Sequence, residues 1–181
     1  MKRFGFMLAM VVVSSTAMAQ PGKVTSASSN AKYGKLDLAK DAIEQAIVHE
    51  KTKDQAKTWM VRGDVYKAIA ESKDPAMKAL AEKPTKIALE SYLIAIDLDT
   101  KGSLRKTINN QMSFMSFAVL NEAIAFNDKE DYLSALECFE QSLKIDSLTN
   151  PTKVDSVVID NAGLGADKAK DDSKAKKYYN R

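Results

Sequence analysis

Residues able to make or break a bond are few here, and they stand apart. His49 is the only histidine and Cys138 the only cysteine among 181 residues. A nucleophile or a metal needs several convergent partners. His49 stands beside Glu50 at the end of a helical pattern, where an imidazole meets the negative end of the helix dipole. That placement reads as structural rather than metal-binding or catalytic. Cys138, between Leu136 and Phe139, has no adjoining histidine or basic cluster to lower its pKa, and reads as a buried structural thiol. "GLG" at 163–165 lacks the strand and further glycines of a phosphate loop, and reads as helix packing. "DKED" and "AKDD" are acid-rich, but no twelve-residue oxygen-ligand pattern surrounds them. Both precede helical stretches, whose N-termini favour acids. The expectation is a protein that is no enzyme, with no cofactor and no metal.

The elements around these residues begin with "MKRFGFMLAMVVVSSTAMAQ". Lys2 and Arg3, the apolar run Phe4 to Val13 and the site Ala17-Met18-Ala19 predict a secretory signal peptide over 1–19, cleaved after Ala19. The apolar run is short of the ~20 residues that span a bilayer, and no cysteine near the cleavage site offers lipid attachment. Loss of Lys2 and Arg3 takes the basic count from 27 to 25 against 24 acids, so the mature chain is near +1. With no basic run carrying interleaved aromatics, nucleic acid is not an expected partner. A single cysteine forms no intrachain disulfide, so an exported chain would depend on its apolar core.

Residues 20–33, opening "QPGKVTSASSNA", are small and polar and predict a flexible leader. From Gly34 onward the apolar residues recur at helical spacing and no strand alternation stands out, so the expected fold class is all-α. Within "TWMVRGDVYKAI" (58–69), Trp59, Gly63 and Tyr66 fall on one helical face. Glycine costs a helix about 1 kcal/mol relative to alanine. It predicts a site of close helix contact, with the two rings gripping a partner helix. A complementary pattern recurs downstream. Ala39/Ile43/Ala46, Ala88/Tyr92/Ala95 and Ala135/Phe139/Ser142 each set a bulky residue between two small ones, and Ala175 with Tyr179 begins a fourth copy.

This combination resembles the tetratricopeptide repeat, with its W-x₂-L-G-x₂-Y first helix and A-x₃-F second helix. Trp59, Gly63 and Tyr66 precede Ala88, Tyr92 and Ala95 in one copy. Val119, Ala123 and Phe126 precede Ala135 and Phe139 in the next, and Ile159, Gly163 and Ala166 precede Ala175 and Tyr179 in the last. Arg62 and Glu122 depart from the motif, standing where it prefers leucine. The resemblance implies a right-handed α-solenoid of stacked antiparallel helix pairs over 34–181. Its parts would be a leading half repeat (35–51), a repeat with a helical insertion at about 70–84 (56–100), a repeat over 103–147, and one over 153–181 truncated in its second helix. The long linker "LTNPTKVDS" (148–156) and the insertion depart from regular geometry. With only the opening of a last helix at 171–181, the natural protein is expected to continue, and the last helix to fray.

The same resemblance implies a concave, partner-binding face lined by first helices. The positions are Lys57, Met60, Asp64 and Lys67, then Phe117, Leu120, Asn121 and Ile124, then Val157, Asp160, Asn161 and Leu164. The family's clamp for a terminal carboxylate is not expected. Asn121 matches one of its positions, but Met60, Asp64 and Val157 stand where it needs polar or basic groups. The expected function is a non-catalytic, periplasmic protein-interaction scaffold for a peptide or partner protein. The alternative is the N-terminal repeat region of a longer envelope protein.

Overall fold

Three interhelical turns share one hydrogen-bond pattern, and that pattern sets the architecture. Gly34, Glu130 and Lys170 each take a left-handed backbone, at φ 73°, 58° and 58°. Their N–H groups donate to Ala31, Asn127 and Asp167 at 3.1, 3.0 and 2.9 Å. The following N–H groups, of Lys35, Asp131 and Asp171, reach back to Asn30, Phe126 and Ala166 at 2.9, 3.0 and 2.9 Å. Each is a Schellman-type stop that reverses the chain into a second helix. In each case a buried alanine follows five residues after the left-handed residue: Ala39, Ala135 and Ala175.

A computed structural model describes residues 20–152 and 155–180. The expected signal peptide lies outside the described residues. Among them the chain is all-α: α1 (Gln20–Lys32), α2 (Leu36–Ile47), α3 (Ala56–Glu71), α4 (Pro75–Lys78), α5 (Pro84–Leu98), α6 (Arg105–Asn127), α7 (Tyr132–Thr149), α8 (Ser156–Lys168) and α9 (Asp172–Tyr179). No described helix is long and apolar enough to cross a membrane. The most extensive packing joins α1 with α2, α3 with α5, α6 with α7 and α8 with α9, and α2–α3, α5–α6 and α7–α8 link these pairs in chain order.

The segment expected to be a flexible leader is a helix, α1, and 35–51 is therefore the second member of a pair rather than a leading half. Val24 and Ala27 are buried against the core, and Ala27 has no exposed surface. Small residues suit loops, but here they let α1 press close to α2 and α3. Ala27 stands twelve residues before Ala39, as Ala123 does before Ala135 and Gly163 before Ala175.

The small–bulky–small triplets form the core. Ala39, Ile43, Ala46, Ala88, Tyr92, Ala95, Ala135, Phe139 and Ser142 are all buried. The insertion is an extended α3 followed by the one-turn α4, capped by Asp74, which accepts from the Ala76 N–H at 2.8 Å. Met77, Leu80 and Ala81 pack on the core, and Lys40 ties the insertion to α2 by donating to the Leu80 carbonyl at 2.6 Å. The acid-rich turns are N-caps: Asp131 accepts from Ser134 N–H at 3.1 Å and Asp171 from Lys174 N–H at 3.0 Å.

Candidate partner-binding groove

Between α6 and α8 the surface opens into a groove of about 490 Å³. Leu120 and Ile124 form its α6 wall, Val157, Asn161 and Leu164 its α8 wall, and Phe139 of α7 lies at its base. Helical spacing explains the convergence, because 120/124 and 157/161/164 are one- and two-turn neighbours on their helices. Ile124, Val157 and Leu164 are exposed. Two asparagines, Asn127 and Asn161, bring amide groups to this apolar lining. The charges at its margin already have partners. Asp155 caps α8 by accepting from Val158 N–H at 3.2 Å, and Lys168 lies 4.9 Å from the centre of the Tyr132 ring. The groove thus offers apolar contact and neutral hydrogen-bonding groups, with the charges of Asp155 and Lys168 at its margin.

Of the expected concave positions, Leu120, Ile124, Val157, Asn161 and Leu164 come together here. Asn121 lies outside the groove, beside Lys78 and Glu82 of the insertion. Asp160 faces a separate depression of about 470 Å³ with Ile159, Leu143 and Tyr179. Phe117 stands out from α6 with 80% of its surface exposed. On α3, Lys57 is exposed and Met60 half-buried. Lys67 pairs with Glu71 at 2.8 Å. Asp64 accepts a 2.8 Å hydrogen bond from the Tyr92 hydroxyl, so it serves α3–α5 packing. Burial raises its pKa, against the lowering effects of Tyr92 and Lys67. The twelve positions therefore divide among several surfaces, because α4 and the long α6 interrupt a uniform helix register. Asn127 and Lys168 also line the groove without standing among the expected positions, and only their one-turn distance from Ile124 and Leu164 marks them in the sequence.

The motif rings also hold Arg62 between them: its guanidinium carbon lies 5.7 and 5.0 Å from the ring centres of Trp59 and Tyr66. Arg62 donates to Glu44 of α2 at 2.8 Å and to Ser91 of α5 at 2.9 Å, and the Tyr66 hydroxyl donates to the same Glu44 oxygen at 3.1 Å. An arginine at a leucine position therefore joins three helices. Burial first, then the Glu44 charge, pushes the Tyr66 phenol up to about 12. Glu122, the other departure, is half-buried on α6, and burial raises its pKa.

Cys138 is buried, and desolvation followed by the Glu122 charge pushes its thiol up to about 12, away from thiolate chemistry. His49 lies past the end of α2, where its Nδ1 accepts the Lys51 N–H at 3.2 Å. Gly163 and Gly165 of "GLG" receive Tyr179 and Leu136 respectively. No group of three histidine, cysteine or acidic residues among the described residues is placed to hold a metal ion. No protein-family model matches this chain, and no curated protein is significantly similar to it.

Proposed function

We propose that the chain is a tetratricopeptide-like right-handed α-solenoid, exported to the periplasm, that acts as a non-catalytic scaffold for a peptide or partner protein. One observation carries this reading: the α6–α8 groove joins Leu120, Ile124, Val157 and Leu164 to the amides of Asn127 and Asn161. A bound segment would bury one or two large apolar side chains there and offer its backbone to the amides. Each buried leucine-sized side chain contributes roughly 1.5–3 kcal/mol, so one or two supply about 1.5–6 kcal/mol before association costs, and binding through this groove alone is weaker than micromolar (about −8 kcal/mol). The repeated twelve-residue spacing between small residue and alanine supports the solenoid reading. The "MKRF…AMA" start supports export.

Peptide display tests the binding role. Random peptides selected on the mature chain should enrich for large apolar anchors, and binding should be lost in Leu164→Glu, whose side chain is 46% exposed and lines the groove, with the helical circular-dichroism spectrum unchanged. Selection that enriches equally on wild type and Leu164→Glu removes the groove from the function. Export is tested by N-terminal sequencing of the protein from the envelope fraction, which should begin at Gln20.

A further inference from the structure

The longest helix carries an unusual outer face. Of the residues in this protein 28% are charged, yet between Thr107 and Asn127 the only charge on α6 is the half-buried Glu122. Its exposed side instead presents Phe114 and Phe117, 66% and 80% exposed, with Asn121 and the 55% exposed Ile124. At 3.6 residues per turn these four fall within an arc of about 80°. Interface centres are depleted in charge and enriched in aromatics in this way.

We propose that this face pairs with the same face of a second copy, the two α6 helices antiparallel about a two-fold axis near residue 119. Symmetry fixes the register: Phe114 and Ile124 lie equally far to either side of that residue, as do Phe117 and Asn121. Antiparallel pairing therefore sets Phe114 of one copy over Ile124 of the other, and Phe117 over Asn121. The ends match in charge as well. Lys106 lies on the same face at the N-terminal end of α6, and Asp128 lies at its C-cap. Pairing brings Lys106 of one copy within about one helical turn, ~5.4 Å, of Asp128 of the other, and it opposes the helix dipoles favourably.

Two phenylalanines exposed to these extents offer roughly 200–350 Å² of aromatic area per copy, toward the ~800 Å² per partner of a standard interface. Ile124 and the polar neighbours Asn110 and Ser113 lie around them. Ile124 belongs to both contacts, since it also forms part of the α6 wall of the groove. The pairing does not depend on peptide binding: a dimer without peptide affinity keeps it, and a peptide-binding monomer ends it.

Sedimentation of the full mature chain tests the proposal. Wild type should be a dimer at micromolar concentration. Phe117→Lys should weaken dimerisation at least about thirtyfold, as loss of a central aromatic anchor does, with an unchanged helical circular-dichroism spectrum. Asn121→Glu should also be monomeric, since it sets a carboxylate against Phe117. Mixing the two variants should restore a heterodimer, because the introduced ammonium of one then faces the introduced carboxylate of the other across the axis. A monomeric wild type, or a Phe117→Lys dimer of undiminished strength, overturns the interface. Failure of the mixed pair to associate overturns the antiparallel register.

Discussion

Gly63 of α3 and Tyr92 of α5 meet as notch and ring: a Cβ built on Gly63 would lie 2.5 Å from Cδ1 and 2.8 Å from Cζ of Tyr92. The ring has no exposed surface, and its hydroxyl is anchored on Asp64 at 2.8 Å. It has nowhere to move. Gly163 and Tyr179 repeat the relation, with a Cβ 2.7 Å from the ring's Cε1, but Tyr179 is 56% exposed and is free to swing outward. The same substitution should therefore have different consequences. Gly63→Ala should cost about 1–3 kcal/mol through overpacking. Gly163→Ala should cost under about 1 kcal/mol, because gained helix propensity offsets the smaller clash. Urea unfolding of the two variants measures the difference, and equal costs would contradict the rigid-ring account.

The left-handed turns offer the opposite kind of change. Glu130 and Lys170 hold φ 58° where the equivalent turn has Gly34. Left-handed backbone costs a residue with a side chain roughly 1–2 kcal/mol, and glycine relieves it at the price of a more flexible unfolded chain. Glu130→Gly and Lys170→Gly should each raise stability by about 0.5–1 kcal/mol. Thermal melts giving lower Tm for both would show that their side chains contribute more than their backbone strain removes.

Much of this is legible in the sequence, and the failures have physical causes. The small–bulky–small triplets locate the second helices because burial and small size recur at fixed spacing. The α1 helix is hidden because serine, glycine and alanine serve both loops and close-packed helices. Only Ala27, in register with Ala123 and Gly163, separates the two meanings. The groove is half legible. Leu120, Ile124, Val157, Asn161 and Leu164 line one groove, whereas Asp64 lies elsewhere, since a sequence leaves open whether a carboxylate faces solvent or a tyrosine on another helix.

Asp64 also gives a pH prediction. Burial raises its folded pKa above the ordinary aspartate value of 3.8, so between that value and the folded pKa the native state holds more protons than the unfolded chain. Stability from this group therefore falls as pH rises through that window and is lowest at neutral pH. Asp64→Asn keeps an acceptor for Tyr92 and removes the charge. The variant should be at least as stable as wild type at pH 7, and its advantage should shrink as pH falls toward 4. Because Glu122 shifts in the same direction, the informative quantity is the difference between the two unfolding curves. A difference from wild type that is constant across that range would mean that Asp64 does not titrate in the folded protein as described.

The end of the described chain supplies the last prediction. Length alone predicts fraying for α9, since a helix of about eight residues, Asp172–Tyr179, is marginal by itself. Glu140 of α7 counters that. Its Oε1 accepts from the Tyr178 hydroxyl at 2.8 Å and its Oε2 from Lys174 Nζ at 2.8 Å, with Ala175 and Tyr178 buried beneath. Hydrogen bonds to a charged group contribute about 1.5–3 kcal/mol, enough to decide whether one short helix stays docked. In Glu140→Ala, amide hydrogen exchange over 175–179 should accelerate roughly tenfold or more, while α7 keeps its protection. Glu140→Gln retains an acceptor for Tyr178 but loses the Lys174 charge pair, so its exchange should be intermediate. Unchanged exchange in Glu140→Ala would mean that Ala175 and Tyr178 packing alone holds α9, and that the carboxylate is incidental to it.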